Sequence, residues 1–251
     1  MTITTNPTRN LLGGQMYNQI NEDILKYQDL FIGGKTMEKQ NTYLSTGNES
    51  LDEMLKGGYQ IGKLTEISGA TDTGKTLLAL LAIKELQKQN NDKVAVFIDA
   101  SRGMKREYID EHGIDADGVI YIQPESIENL VTILSEVVKP CIDDIGLIVI
   151  DSLADLSTKK EQECSICTNT DRHRSIVIKA LLTRIANLVR NSEACAIILN
   201  QDRSSFEDDS INTVSSSERW VNMTCDTRLR LTLDEDGDIC VDISFKNKLT
   251  K

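Results

Sequence analysis

Eight consecutive residues of this chain have the types and spacing of a phosphate-binding loop: Gly69, Ala70, Thr71, Asp72, Thr73, Gly74, Lys75 and Thr76. They fit the pattern G-x-x-x-x-G-K-[ST], whose glycines let successive backbone N–H groups point at phosphate oxygens. In this pattern Lys75 would reach the β- and γ-phosphates, and the Thr76 hydroxyl would bind Mg²⁺. The loop therefore predicts a site for a nucleoside triphosphate and its magnesium ion.

The residues on both sides of the loop have the patterns that such a loop needs. An apolar run, Leu64–Ser68, precedes it and predicts a strand, and Leu77–Leu86 behind it has the pattern of a helix. A strand that leads through a glycine-rich turn into a helix also brings the helix N-terminus to the phosphates. The surroundings support the nucleotide-binding interpretation.

Further polar residues follow the ends of other predicted strands, where ligands bind in open α/β sheets. Asp151 comes directly after an apolar strand and is placed either to bind Mg²⁺ or to cap a helix. Asn200 and Gln201 end the next strand, where a side-chain amide would sense the γ-phosphate. Asp99 and Ser101 close another strand, near which we expect a catalytic carboxylate.

The elements that must position these residues alternate along the chain, which predicts an α/β fold: a mostly parallel twisted sheet flanked by helices. An Asp-Gly step near the end predicts a C-terminal β-hairpin. The polar stretch Asp202–Arg219 has too little apolar content to pack, which predicts a functional or disordered loop. The other predicted elements are Val94–Ala100, Val119–Ile122, Ser126–Val138, Ile145–Ile150, Arg174–Arg190, Ala194–Leu199, Thr227–Leu233 and Ile239–Phe245.

Residues 1–41 are predicted to form an N-terminal arm and helix, ahead of a core domain of residues 42–251. The helix prediction rests on apolar residues at helical spacing, namely Tyr17, Ile20, Ile24, Tyr27 and Phe31. Such a helix packs either on its own core or on a neighbouring subunit, and the sequence leaves both open.

Composition limits the classes of protein that this chain can belong to. Its 251 residues are 39% hydrophobic, which is enough for one α/β domain with a large core and a small appendage. A net charge of −11 argues against a generally basic nucleic-acid binder, so any DNA binding must come from a local patch. The six cysteines lie mostly in apolar runs, which indicates buried small hydrophobic residues and not a disulfide framework. With no signal peptide and no bilayer-spanning stretch in the sequence, we expect a cytoplasmic protein with no membrane partner.

A series of further features runs from about Leu44 to the C-terminus. Besides the phosphate loop and Asp151, the features are Ser45–Asp52, Gly57–Gly58, Gly62–Ile67, Phe97–Ala100, Tyr108, Gly113–Asp115, Gln123–Glu125, Asn200–Gln201 and Lys246–Lys248. In this order and spacing they resemble the RecA family of recombinases. The resemblance implies a RecA-like P-loop ATPase core that uses ATP and Mg²⁺.

The resemblance also implies roles for individual residues around the nucleotide. Tyr108 would stack on adenine, and Gln201 would couple the γ-phosphate to the polar loop behind it. Lys246 and Lys248 would reach across a filament interface to the ATP of a neighbouring subunit and neutralise charge in the transition state. Composition alone favours a solvated lysine pair at a strand end.

Two segments, Glu161–His173 and Asp202–Arg219, occupy the positions of the family's DNA-binding loops. The resemblance makes their cations candidate phosphate contacts and their aromatic residues candidates for stacking on bases. The alternative is a solvated loop, because Glu207, Asp208 and Asp209 would repel a phosphate backbone. The candidate DNA-binding residues are Arg172, Arg174, Arg203, Phe206 and Arg219, with Trp220 as a second stacking residue.

The chain departs from the family pattern at one catalytic position. The family places a glutamate, which activates the attacking water, where this chain has Ser101. Loss of a general base costs ~10²–10⁴ in rate, so we predict normal ATP binding with slow hydrolysis unless Asp99 or Glu66 substitutes. The second loop also lacks the family's glycine pair. We expect no counterpart of the C-terminal domain of bacterial RecA, as in a stripped-down or phage-borne version.

Cys164 and Cys167, with His173 beyond them, also suggest a metal or redox site. One such pair offers at most three ligands and lacks the βαβ context of a redox enzyme, so the interpretation as an ordinary loop is favoured.

The leading interpretation is an ATP-dependent recombinase that forms a helical filament on single-stranded DNA and takes up duplex DNA in strand exchange. Two alternatives stay open. One is a non-hydrolysing RecA-like paralogue that binds ATP and regulates another recombinase. The other is a RecA-fold regulatory ATPase with protein partners, which the acidic charge favours.

Overall fold

The computed structural model of the chain describes residues 43–89, 92–163, 171–201, 216–234 and 236–245. All of them belong to the second of two units into which the chain divides, Asn41–Lys251. The predicted N-terminal arm, residues 1–41, lies outside the described residues. The boundary between arm and core stays a prediction.

Strands and helices alternate through the described residues. The strands are β1 (Tyr43–Leu44), β2 (Tyr59–Gln60), β3 (Leu64–Gly69), β4 (Val94–Asp99), β5 (Val119–Ile122), β6 (Ile145–Asp151), β7 (Cys195–Gln201), β8 (Thr227–Leu233) and β9 (Ile239–Phe245). The helices are α1 (Glu49–Met54), α2 (Lys75–Gln89), α3 (Arg106–Glu111), α4 (Ile127–Ile133), α5 (Lys159–Glu163), α6 (Asp171–Arg190) and α7 (Ser216–Thr224). A π-helical turn, Leu134–Val138, extends α4.

Strands β3 to β9 form one sheet of seven described strands in the order β5-β4-β6-β7-β3-β8-β9. Every pairing in it is parallel except that of β8 with β9, which is the predicted antiparallel hairpin. Because parallel strands end at the same edge of a sheet, the carboxyl ends of β3, β4, β6 and β7 lie side by side. This edge positions the polar residues that follow those strands.

The core lies on both faces of the sheet. Successive side chains of a strand point to opposite faces, so Val96 and Ile98 of β4 pack on one side and Phe97 on the other. The first face is covered by α4 and α6, and the second by α2. Strands buried on both faces must be apolar almost throughout, which explains the continuous hydrophobic runs in β4, β6 and β7.

The predicted fold class is confirmed, and most of the predicted elements form near their predicted bounds. Ser126 accepts a hydrogen bond from Asn129 N at 3.1 Å and so begins α4 where the sequence places a helix start. The last residues of the predicted polar loop, Asp202–Arg219, belong to α7, which continues to Thr224 and buries Val221 beyond the predicted end of the loop. A single apolar face was enough to dock this helix on α6. The prediction of a loop over residues 202–215 lies outside the described residues.

Candidate nucleotide site

The phosphate loop joins the end of β3 to the start of α2, and its shape depends on glycine. A Cβ atom at Gly69 would lie 2.6 Å from Leu231 O of β8, so no larger residue fits there. Gly74 has a φ of +82°, in the left-handed region that favours glycine. The Thr73 hydroxyl closes the loop by donating to Ala70 O at 2.9 Å.

Lys75 begins α2 and lies over the loop. Its Nζ donates hydrogen bonds to Gly69 O at 3.1 Å and to Ala70 O. The ammonium group is thereby held beside the main chain that would surround the phosphates. This placement agrees with the predicted role of Lys75 toward the β- and γ-phosphates.

Thr76 and Asp151 meet across the site. Thr76 Oγ1 donates to Asp151 Oδ2 at 2.8 Å, which brings together the two residues predicted to bind Mg²⁺. Hydroxyl and carboxylate oxygens are ligands of the kind that Mg²⁺ prefers, so this pair fits the ion.

The electrostatics of Asp151 also favour a cation beside it. Burial raises the pKa of Asp151, and the nearby Asp99 and Asp155 add to this rise, while the hydrogen bond from Thr76 and the charge of Lys75 oppose it. A divalent cation would stabilise the charged form of this carboxylate.

A cleft of 510 Å³ runs from the phosphate loop along the end of β4. This volume lies within the range of small-molecule sites. Tyr108 of α3 lines the cleft together with the apolar side chains of Leu77 and Met104. The residue predicted to stack on adenine is therefore in the wall of the same cleft as Lys75 and Asp151.

Gln201 lies beside the phosphate loop, as predicted for a γ-phosphate sensor. Its Nε2 donates to Thr71 Oγ1 at 2.8 Å. The preceding residue, Asn200, donates from Nδ2 to Glu66 Oε1 at 3.0 Å. Thus β7 ends with one amide directed to the loop and another directed into the sheet.

The end of β4 is organised around Asp99, which is 1% exposed. This carboxylate accepts hydrogen bonds from Ser101 Oγ at 2.8 Å, Met104 N at 3.1 Å, Gly103 N at 3.4 Å and the Tyr121 hydroxyl. Burial acts to raise the pKa of Asp99, but the hydrogen bonds from Tyr121, Ser101 and the main chain outweigh it and lower the pKa. Asp99 is thus a weak base.

Asp99 and Glu66, the two carboxylates that the sequence suggested as substitute general bases, are both engaged by other groups. Asp99 is held by the four hydrogen bonds just described. Glu66 is 1% exposed and pairs with Arg228, with Arg228 Nε 2.6 Å from Glu66 Oε2. Neither residue lines the cleft, whereas Ser101 does. This arrangement supports the prediction of slow hydrolysis.

The described candidates for DNA binding differ in how free their side chains are. Arg172 and Arg219 are exposed. Arg174 is partly buried: its Nη1 donates to Leu156 O at 2.6 Å and lies 3.1 Å from Glu161 Oε2. Arg174 therefore anchors the segment that follows β6, which argues against its predicted phosphate contact.

Trp220 also has a packing role that the sequence did not reveal. Its Nε1 donates to Ser175 Oγ at 2.8 Å, and Lys179 Nζ lies 4.4 Å from the centroid of its ring. The indole thereby joins α7 to α6 and is not free to stack on a base in this arrangement. Four predicted site residues, Arg203, Phe206, Lys246 and Lys248, lie outside the described residues.

The suggested metal or redox site also lies beyond what the structure describes at Cys164 and Cys167. His173 is described, and its Nε2 lies 3.2 Å from Glu128 Oε1. In the part of the chain that is described, no three His, Cys, Asp or Glu side chains cluster so as to hold a metal ion. None of the described helices has the length and apolarity needed to cross a membrane.

Sequence reasoning missed Tyr121 and Arg228. Tyr121 is opposite Phe97 in the β4–β5 pairing, and Arg228 is opposite Glu66 in the β3–β8 pairing. The only signal for either residue is which strands are neighbours, and the sequence does not state this.

Comparison with known proteins bears on most of this core. Residues 15–207 match the family model of the RecA N-terminal domain. The chain is 33% identical to Protein RecA of Rippkaea orientalis over 201 residues, which are 80% of this chain and 56% of that protein. It is 34% identical to Protein RecA of Mycoplasma genitalium over 176 residues, 70% of this chain and 50% of that protein.

A third relative, Protein RecA of Thermotoga neapolitana, is 33% identical over 186 residues, which are 74% of this chain and 52% of the relative. The chain spans about half the length of the curated relatives that it matches. The residues matched by the family model include the phosphate loop, Asp151 and the strands between them. The chain is a member of the RecA family.

Proposed function

We propose that this chain is an ATP-dependent, DNA-binding recombinase that forms filaments and hydrolyses ATP slowly. It acts in homologous recombination and DNA repair in the cytoplasm of a bacterial or phage-infected cell. The observation that carries the proposal is the 2.8 Å contact between Thr76 and Asp151 across the phosphate loop of a RecA-family chain. This contact supports a site built for a triphosphate with a magnesium ion.

Different residues of the cleft bind different parts of the nucleotide. The main chain of Gly69–Thr76 and the Lys75 ammonium hold the phosphates, and Tyr108 contacts the adenine. Thr76 and Asp151 hold Mg²⁺, which when bound offsets the negative charge on the phosphate oxygens. Gln201 contacts the loop at Thr71 and senses the γ-phosphate from there.

Hydrolysis is slow because no carboxylate of the β4 end is free to take a proton from water. Ser101 occupies the place next to the cleft, and its hydroxyl donates to Asp99 at 2.8 Å. A neutral hydroxyl engaged with a carboxylate of lowered pKa is a poor general base. Binding and positioning remain, so the chain keeps ATP for long periods.

DNA binding and assembly use the remaining predicted residues. Arg172 and Arg219, both exposed, contact the phosphates of single-stranded DNA together with Arg203. Phe206 inserts between bases, and Lys246 and Lys248 reach the ATP of the neighbouring subunit. ATP bound between subunits thereby stabilises the filament, and slow hydrolysis makes that filament long-lived.

A mixture of the chain, single-stranded DNA and a non-hydrolysable ATP analogue, imaged by electron microscopy, tests the proposal. We expect helical filaments with the analogue, few or none with ADP, and none from Lys75→Ala with either nucleotide. Lys88→Ala, at the far end of the same helix, is the matched control and should form filaments normally. Discrete particles instead of filaments would contradict the proposal, as would binding that is indifferent to DNA.

One observation favours a second candidate, a RecA-like regulator that binds ATP without hydrolysing it. Asp99 accepts four hydrogen bonds and is therefore not free to act as a general base beside Ser101. The residues predicted to bind ATP are unaffected by this. Such a regulator would cap or modulate another recombinase or a protein partner. Discrete nucleotide-bound particles in the imaging experiment would support this candidate.

A further inference from the structure

A network of hydrogen bonds crosses the sheet behind the phosphate loop. Gln201 Nε2 donates to Thr71 Oγ1 at 2.8 Å, and Gln201 N donates to Asn200 Oδ1 at 3.1 Å. Asn200 Nδ2 donates to Glu66 Oε1 at 3.0 Å, and Arg228 Nε donates to Glu66 Oε2 at 2.6 Å. This network therefore connects the loop with three adjacent strands, β7, β3 and β8.

Glu66 is the central residue of this network and its most deeply buried one. It is 1% exposed, and its two oxygens accept from two different strands. The register places it opposite Ile198 of β7 and opposite Arg228 of β8. A buried charge is tolerated only when it is paired and hydrogen-bonded, and here both neighbouring strands supply a donor.

The carboxylate of Glu66 determines which way the Asn200 amide faces. An ionised carboxylate can only accept hydrogen bonds, so the NH₂ group of Asn200 must face Glu66. The Oδ1 atom of Asn200 is then left to face the other way, where it accepts from Gln201 N. Glu66 thus holds the main chain at Gln201, from which the side chain reaches the phosphate loop.

We propose that Glu66 is a positioning residue for nucleotide sensing: it fixes Asn200 and Gln201 against the loop and ties them to β8 through Arg228. The inference deepens the proposed function and rests on it for the identity of the nucleotide. Glu66 does not line the cleft and takes no part in the chemistry. Its role is to hold Gln201 in the one orientation in which that side chain can contact the γ-phosphate.

A second ion pair between the same parts of the sheet provides an internal comparison. Lys63 Nζ lies 3.1 Å from Asp226 Oδ1, just before β3 and β8 begin and at the edge away from the phosphate loop. A general effect of joining these two strands would be shared by both pairs. An effect on nucleotide sensing is expected from Glu66 alone.

Three variants test the proposal: Asn200→Asp, Glu66→Gln and the double variant. Asn200→Asp removes the donor and faces Glu66 with a second carboxylate, and Glu66→Gln allows the Asn200 amide to turn over. The double variant restores a donor and an acceptor, because the amide introduced at position 66 can donate to the carboxylate introduced at position 200. The readout is the ratio of the affinities for a non-hydrolysable ATP analogue and for ADP, measured by titration with fluorescent nucleotides.

We expect the analogue-to-ADP affinity ratio to fall about tenfold in each single variant, as for one lost hydrogen bond to a charged group. The double variant should recover most of the ratio. Asp226→Asn, which breaks the comparison pair, should leave the ratio unchanged even where it lowers the unfolding temperature. Unchanged ratios in folded single variants, or a double variant that is no better than they are, would overturn the proposal.

The readout needs no DNA and no filament, so it separates this inference from the proposed function. A wild-type chain that discriminates the analogue from ADP but forms no filaments would contradict the recombinase and leave the positioning role intact. A wild-type chain that does not discriminate would overturn the positioning role. Should Asn200→Asp fail to fold, the fall expected in Glu66→Gln still decides the question.

Discussion

The ends of two neighbouring strands, β6 and β4, differ in the groups that engage their carboxylates. At the end of β6, Asp151 faces Thr76 and the phosphate loop, with burial and nearby carboxylates that favour a cation. At the end of β4, Asp99 is enclosed by donors and Ser101 stands where a free carboxylate would be needed. The end of β6 thus brings together oxygen ligands of a kind suited to Mg²⁺, whereas the Asp99 carboxylate at the end of β4 is already engaged by hydrogen bonds.

From this difference we expect the affinity for ATP and the rate of its hydrolysis to depend on separate residues. In the proposed function, Thr76, Lys75 and Asp151 bind the phosphates and the metal, and activation of water is assigned to a different position, that of Ser101. In a filament of the proposed kind, this separation would let bound ATP maintain assembly for as long as hydrolysis is slow.

The largest effect is expected from Ser101→Glu, which supplies the missing carboxylate beside the cleft. We expect the single-turnover rate of ATP hydrolysis to rise about 10²–10⁴-fold, the usual contribution of a general base. The affinity for ATP should change little, because the residues around the loop are untouched. Quench-flow or radiolabelled phosphate release, with DNA present, measures the rate.

Ser101→Gln is the matched control for this prediction, since it has the size of glutamate without the charge. It should hydrolyse ATP as slowly as the wild type. A wild-type rate already equal to that of Ser101→Glu would show that the comparison of the two strand ends is mistaken.

A smaller effect is expected from Lys75→Ala, which removes the ammonium that lies over the loop. Hydrogen bonds to charged groups predict a loss of about ten- to a hundredfold in affinity for ATP. Isothermal titration with the non-hydrolysable analogue measures it. Lys88→Ala, whose side chain is 58% exposed at the other end of α2, should bind normally. Equal affinity in the two variants would argue against the loop as the phosphate site.

The smallest effect is expected from Tyr121→Phe, which removes the hydroxyl that donates to Asp99 but keeps the ring beside Phe97. The free energy of unfolding at pH 7 should fall by about 1–3 kcal/mol, since the bond goes to a charged acceptor. Urea unfolding measures this. Tyr43→Phe is the control, because the Tyr43 hydroxyl makes no hydrogen bond within the described part of the chain.

Acid titration sharpens the same prediction. A carboxyl whose pKa is lowered in the folded state stabilises the fold above its unfolded pKa, and this contribution is lost as the pH falls through the folded pKa. The hydroxyl of Tyr121 helps to lower the pKa of Asp99. The free energy of unfolding of the wild type should therefore fall more steeply than that of Tyr121→Phe below about pH 4. Parallel acid profiles would contradict the assignment.

Local pattern was enough to predict where the phosphate loop and Asp151 lie in the fold. The phosphate loop is one continuous segment between a strand and a helix, and Asp151 follows an apolar run directly. Each of these signals is contained in fewer than about twenty residues, the scale at which periodicity and turn chemistry can be read. The hairpin of β8 and β9 was predictable for the same reason.

The half of the site that depends on strand order could not be predicted in this way. Tyr121 reaches Asp99 because β5 lies beside β4, and Arg228 reaches Glu66 because β8 lies beside β3. The order of the sheet is set by packing among all its strands, so no window of sequence contains it. The engagement of Asp99 and Glu66, which decides whether a substitute base exists, became visible only in the folded chain.

The link between Trp220 and Ser175 has a practical consequence. Trp220 is the only tryptophan of the chain, so its intrinsic emission comes from a single place. Its indole N–H contacts α6 shortly after that helix begins, and α7 begins within the last residues of the second predicted DNA-binding segment. The colour and intensity of this emission would therefore register any shift between the two helices when DNA or nucleotide is added. The protein contains its own fluorescent reporter, and no dye has to be attached.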